Sequence, residues 1–452
     1  MIRKITFLAI ILHVPFFIQH GRADDTVKHV KTGMTFGALP AIAFDTDIGF
    51  KYGALTNFYL FGDGSTYPKY LHSFYLEFNR TTKGSGLLQF VYDSEYLIPN
   101  IRVTAEASYF TEQALDFFGF NGYKAYYNPD FKDPESEDYI SRMFYSHERK
   151  VLRLRSDFQG SIIGKKLRWL AGFEFNGFNV GTVDIEKLNK GKNEKDKLPE
   201  IDLLYDKFVK WGVIKDDEKN GGNHNMFKFG LVYDTRDNEP NPMSGMWSEI
   251  ILLTAPSFTG NKPGFTRLAI THRQYFTLVD EVLNLAVRLS YQPKIGGTMP
   301  FYALPYVYNT STNILRDGLG GAKTMRGIVR NRVVGEDMFY GNVELRWKFF
   351  NKVVGKNHLY FALSPFMDFG RVTNDYKFSY IPSHQGIIGI DSPLDFPEYW
   401  FEKSDKEKFH ISYGAGISGA LNHNFVAHVN YGRAADKRDG KSGLYIGLNY
   451  LF

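Results

Sequence analysis

The chain closes on Lys441-Ser442-Gly443-Leu444-Tyr445-Ile446-Gly447-Leu448-Asn449-Tyr450-Leu451-Phe452. Leu444, Ile446, Leu448, Tyr450 and Phe452 fall on one face of this stretch, and Gly443, Tyr445, Gly447, Asn449 and Leu451 fall on the other. Successive side chains of a strand point to opposite sides, so the segment reads as a β-strand with one wholly apolar face. The pattern recurs upstream. Val343, Leu345, Trp347 and Phe349 oppose Asn342, Glu344, Arg346 and Lys348. Ile101, Val103, Ala105, Ala107 and Tyr109 oppose Arg102, Thr104, Glu106, Ser108 and Phe110.

A soluble sandwich also alternates, but here the polar faces mix Arg, Glu and Lys with bulky Tyr and Phe. The apolar faces carry aromatics near the segment ends. That fits apolar side chains against lipid, aromatic girdles at the interfaces and a polar lumen. Sixteen such segments lie between residues 34 and 452, an even number, as single-chain bacterial barrels require. The long connections, 113–140, 182–223, 295–337 and 372–407, all follow odd-numbered strands, whereas those after even-numbered strands are mostly short. The predicted fold is all-β: a sixteen-stranded antiparallel transmembrane barrel over 34–452, with long extracellular loops and both termini in the periplasm of a Gram-negative bacterium.

Composition agrees. Among 452 residues there are 40 Phe, 29 Tyr and no Cys. Disordered chains are poor in aromatics, and the absence of Cys excludes disulfides and thiol chemistry. Residues 1–23 read as a secretory signal peptide: Arg3 and Lys4 precede an apolar core, and Gly21-Arg22-Ala23 precedes a cleavage point. A short periplasmic segment, 24–33, would follow. Without the leader the chain is close to neutral, which gives no nucleic-acid footprint. Phe409 to Gly432 holds no charged residue, yet it alternates and is predicted as two strands with a turn near Leu421-Asn422. One helix is predicted over 200–211, between Pro199 and Gly212, with Ile201, Leu204, Tyr205, Phe208 and Trp211 on one face packed over the barrel.

Three stretches resemble the BamA/TamA superfamily of outer-membrane barrels, also called the bacterial surface antigen family. The first is the turn Asp234-Thr235-Arg236-Asp237-Asn238-Glu239-Pro240-Asn241-Pro242-Met243-Ser244-Gly245. Asp and Asn nucleate such a turn, Pro fixes φ, and Gly permits positive φ. The second, Gly320-Gly321-Ala322-Lys323-Thr324-Met325-Arg326-Gly327-Ile328, resembles the family's Arg-Gly loop. The resemblance implies that this sixth loop folds into the lumen and that Arg326 meets acids on strands 12 and 13, here Glu344 and Asp368. Strand periodicity separately puts both acids on polar faces. The third is the terminus: Leu448, Tyr450 and Phe452 resemble the targeting signal of outer-membrane barrels. Family members usually carry periplasmic POTRA domains ahead of the barrel. None fits into 24–33, so the expectation is a POTRA-less branch.

The predicted function is non-enzymatic: assembly, insertion or translocation of envelope proteins at a weak seam between 34–45 and 441–452, loosened by Gly443 and Gly447. The implied partners are outer-membrane lipid, client outer-membrane proteins and a separate periplasmic or lipoprotein subunit. A pore, a lipid conduit or a structural subunit docking a partner is the alternative. No cofactor is called for. The Gly414-x-Gly416-x-x-Gly419 spelling lies within a strand and lacks the βαβ context of a nucleotide site. The histidines show no zinc-binding spacing.

Overall fold

In a computed structural model the chain is described over residues 32–452, except 47, 68, 165, 240, 262, 311–316, 355–356, 382–391, 403–404, 422–424 and 449. The leader and most of the segment predicted over 24–33 lie outside the described residues.

The chain forms one antiparallel sheet closed into a sixteen-stranded barrel. Its first half comprises β1 (Gly33–Pro40 with Ala43–Asp45), β2 (Gly49–Gly62), β3 (His72–Thr81), β4 (Gly86–Ile98), β5 (Ile101–Asp116), β6 (Ser146–Ile163), β7 (Leu167–Gly181) and β8 (Gly221–Asp234). The second half comprises β9 (Gly245–Ala255), β10 (Phe265–Val279), β11 (Leu283–Gln292 with Lys294–Gly297), β12 (Asp337–Val354), β13 (Asn357–Asn374), β14 (His410–Leu421), β15 (Phe425–Ala434) and β16 (Ser442–Leu448). Each strand pairs with its sequence neighbours, and β16 returns to β1. Two staves are broken, each beside a proline. β1 is interrupted at Ala41-Ile42 after Pro40, and β11 at Pro293. Proline has no N–H to give to a ladder.

The alternation has the structural meaning that period two demands. Leu152, Leu154, Leu231, Ile250, Ile417 and Val429 are exposed on the outer wall. Glu106, Arg153, Arg155, Glu174 and Lys228 are buried on the inner one. Closure into a ring pairs most of the sheet edges that hydrocarbon would not tolerate bare. Among the described residues no helix is long and apolar enough to cross a membrane.

One end carries short turns, such as Gly164 and its neighbours between β6 and β7 and Asp280–Val282 between β10 and β11. The other end carries the long loops, and these build a second core. Phe117, Phe131, Tyr145, Phe208, Trp211 and Trp400 belong to one buried aromatic cluster that caps the barrel. The predicted helix is part of it but is shorter, Leu204–Lys210. Leu204, Tyr205, Phe208 and Trp211 are buried, whereas Ile201 is exposed. Its start is set by Asp206, whose carboxylate accepts from the Leu203 amide at 2.9 Å, not by Pro199. β6 likewise begins at Ser146, not 141, because Phe144 and Tyr145 pack into the cap. The Lys-rich stretch from Lys187 to Lys197 stays largely exposed.

Candidate functional site in the lumen and at the seam

β12 and β13 are neighbours in a register that sets Asn342 opposite Asp368 and Glu344 opposite Phe366. Both carboxylates therefore project from the inner wall at nearly the same height. The loop between β11 and β12 descends into the lumen and delivers Arg326 to them. Its Nε and Nη2 donate to the two Asp368 oxygens at 2.9 Å, its Nη1 donates to Glu344 at 2.7 Å, and its backbone N–H donates to Asp368 at 2.9 Å. The Phe366 ring lies 3.4 Å beneath the guanidinium. Arg326 is 1%, Glu344 2% and Asp368 0% exposed. A buried charge is tolerated only when paired and hydrogen-bonded, and the planar fork of Arg meets that condition here. Burial opposes the Arg326 charge, but Asp368 and Glu344 outweigh it and hold its pKa above the ordinary value.

Gly327 follows with φ +92°, a left-handed conformation. A Cβ there would lie 2.5 Å from the Arg433 amide nitrogen and from the Gly432 carbonyl carbon, so the loop backbone rests directly on β15. The Gly327 N–H donates to the Tyr445 hydroxyl at 3.0 Å, which ties the loop to the last strand.

The same loop holds two further arginines that sequence reasoning missed. Arg330 bridges Glu112 on β5 and Asp317, the latter at 2.7 Å. Arg149 on β6 shares both carboxylates. Arg332 donates to the carbonyls of Arg438 at 2.8 Å and Gly122 at 3.0 Å. The Arg-x-x-x-Arg-x-Arg spacing from Arg326 to Arg332 was the available signal. Arg346 was missed too: it donates to Glu344 at 2.8 Å and to the Phe452 carbonyl at 2.9 Å, so Glu344 serves two arginines. Arg153 and Arg155 on β6 lie beside lumenal acids: Arg155 is 3.0 Å from Glu106, and Arg153 is 3.7 Å from Glu174.

The Asp234–Gly245 turn joins β8 to β9. Arg236 grips the Asp234 carboxylate in a fork at 2.9 and 2.8 Å and stacks 4.6 Å from the Trp247 ring. Asp237 accepts from the amides of Asn238 and Met243 at 2.9 and 3.0 Å, and Asn238 accepts from that of Asn241 at 3.0 Å. The Thr235 hydroxyl accepts from the Met246 amide at 3.1 Å. Gly245 has φ +92°, and a Cβ would fall 2.2 Å from the Thr235 carbonyl. Asp234, Thr235, Arg236, Asp237, Asn238 and Gly245 thus each have a bond or a steric reason.

The chain end needs a correction. Leu444, Ile446 and Leu448 face outward, but regular strand stops at Leu448, and Tyr450 and Phe452 leave the face they were assigned. Phe452 is buried beside Tyr275 and Ala286, with the Arg288 guanidinium 4.9 Å from its ring. Arg346 lies 4.0 Å over Tyr450. Lumenal cations hold the tail inward, so period two fails over the last residues.

The seam itself is short. Among the described residues only Tyr445↔Asp45 and Ile446↔Phe44 are in register between β16 and β1. Thr46 adds bonds to Leu444 at 3.1 and 2.7 Å. By contrast β15 and β16 pair from Ala427↔Leu448 to Arg433↔Ser442. Gly33–Pro40 pairs with β2 alone among the described residues, and its other edge is bare. Gly443 and Gly447 line the inner side of β16. A Cβ on Gly443 would lie 2.1 Å from the Tyr445 hydroxyl, so this glycine makes room for the side chain that reaches Gly327.

An inward-folded arginine loop, a plugged lumen and a barely closed seam define a class of membrane barrel, and the comparisons give its family. Residues 80–452 match the Omp85 superfamily domain, and the chain belongs to that superfamily of outer-membrane barrels. BamA from Haemophilus ducreyi lacking POTRA domains 1–3 superposes with a TM-score of 0.50 at 13% identity, over 93% of this chain and 71% of that one. CdiB from Escherichia coli superposes with a TM-score of 0.53 at 10% identity, over 93% of this chain and 63% of that one. The chain thus spans less than two thirds of the CdiB chain. At these identities the likeness concerns the fold. No curated protein matches the sequence.

Proposed function

We propose that this barrel assists the assembly, insertion or translocation of other envelope proteins, acting at the seam between β1 and β16 in the outer membrane of a Gram-negative bacterium. The long loops face outward and both termini face the periplasm. The observation that carries this reading is the bare edge of Gly33–Pro40 next to a closure of two residue pairs. Each unpaired backbone group in hydrocarbon costs several kcal/mol. A strand edge from a client protein would satisfy those groups and be templated by them. The register places the closed pairs toward the long-loop end and the bare edge toward the short-turn end, from which periplasmic clients would arrive.

The sixth loop supports the same reading. Tyr445 is at once a seam residue and the acceptor for the Gly327 amide, so the Arg326 network can hold the seam strand in place. In this role Arg326, Gly327, Glu344 and Asp368 lock the loop, the Asp234–Gly245 motif secures the short-turn end, and Leu448, Tyr450 and Phe452 serve targeting. Clients and a separate periplasmic or lipoprotein subunit are the proposed protein partners. A passive pore is less well supported, because loop 318–336 and the chain tail fill the lumen.

The test is a reversible lock. The chain has no Cys, so Phe44→Cys with Ile446→Cys creates a single candidate disulfide across the seam. Oxidation should lower the amounts of client barrels in the outer membrane, and a reductant should restore them. Unchanged client levels in the oxidised strain would rule the seam mechanism out.

A further inference from the structure

We propose that the rim of the barrel beside β13 and β14, at the long-loop end, is a binding site for the phosphorylated headgroup of a membrane lipid. The argument rises along the outer wall. Phe339, Phe369 and Phe409 form a three-ring cluster across β12, β13 and the start of β14, with centroids 6.1 to 6.3 Å apart. Aromatic side chains on the lipid-facing wall mark the level where hydrocarbon gives way to headgroups. Arg371 follows Phe369 by two residues, so it shares the outward face of β13. Its guanidinium sits 5.5 Å from the Phe409 centroid, with the Nε donating to the Val372 carbonyl at 3.2 Å. A cation directly above an aromatic interface is the arrangement of a snorkelling side chain.

Above it opens a cleft of about 420 Å³, with Lys124, Arg371, Thr373, Asn374, Lys377 and Lys406 in its lining. The cleft has two acids, and both are engaged. Asp375 pairs with Lys124. Glu407 turns inward and accepts from the amides of Tyr123 and Val372 at 2.9 and 2.8 Å. Among the described residues no carboxylate pairs with Arg371, Lys377 or Lys406, and both lysines are exposed. Three cations without a carboxylate partner among the described residues, beside the Thr373 hydroxyl and next to the aromatic cluster, suit a phosphate ester whose acyl chains lie along that cluster. The site does not depend on client insertion.

Native mass spectrometry of the full-length protein in detergent tests this with three probes: phosphorylated lipid A, its dephosphorylated form and inorganic phosphate. The wild type should retain phosphorylated lipid A about tenfold more strongly than the dephosphorylated lipid, and Lys377→Glu with Lys406→Glu should remove that preference. Heat-modifiable gel mobility is the control for a folded barrel in the double variant. Equal retention of the two lipids, or an unchanged preference in the folded variant, overturns the proposal. Displacement of the lipid by millimolar inorganic phosphate would mark a free-anion site and overturn it as well.

Discussion

Arg326 meets two carboxylates and one aromatic face inside a lumen that excludes bulk water, so its removal has a definite consequence. In Arg326→Ala, Arg346 still neutralises Glu344, but Asp368 loses its only ion-pair partner among the described residues. Breaking a buried pair in this way costs about 3–5 kcal/mol. We expect Arg326→Ala to expose loop 318–336 to protease, and Asp368→Asn added to it to recover part of the loss. A double-mutant cycle of urea unfolding in vesicles measures this. If the two changes add without coupling, the pairing is not what holds the loop. Gly245→Ala should also destabilise, because a methyl group would meet the Thr235 carbonyl at 2.2 Å and φ is +92°. The cost should exceed about 1 kcal/mol, read as a lowered urea midpoint.

Elements add behaviour that no single residue has. The long loops fold on their own aromatic core, and Glu218 lies buried in it, accepting from the Phe301 amide at 3.0 Å. Burial raises the Glu218 pKa above that of an ordinary glutamate. Its folded form therefore favours the proton. The contribution is fully present below the ordinary value and is lost as pH rises through the raised one. Corrected for intrinsic exchange, the Phe301 amide should become better protected as pH falls through that window, and Glu218→Gln should flatten the trend. A slope unchanged in the variant would assign the effect to another group. The strands, by contrast, were legible from period two alone. The helix was misplaced because Asp206, within the segment, competes with Pro199 to set its start.

At the scale of the whole molecule the barrel is a plugged wall, not an open tube. The sixth loop reaches β5, β12, β13 and β16 through Arg330, Arg326 and Gly327. The tail enters from the short-turn end, where the Asn284 side chain also donates to the Pro242 carbonyl at 3.2 Å. Planar-bilayer recordings of the purified barrel should show low, irregular conductance. Arg326→Ala with Arg330→Ala should lengthen the openings, since two of the loop's side-chain ties to the wall are cut. A large steady conductance in the wild type would contradict the plug.

The sequence alone determined what depends on local periodicity and turn chemistry. Alternation specified sixteen strands and their inward and outward faces, and the Asp234–Gly245 motif specified a tight turn. It also put Glu344 and Asp368 on polar faces, and the family resemblance linked them to Arg326. Only the tertiary structure decided which distant groups meet. Glu112 lies more than two hundred residues from Arg330, Arg346 divides its donors between Glu344 and the chain end, and Tyr445 closes the seam while holding the loop. Such partners are set by ring closure and strand register, which bring remote segments to one height in a low-dielectric lumen. No local pattern encodes that height, and for the same reason the inward turn of Phe452 could not be read from an alternation that ends at Leu448.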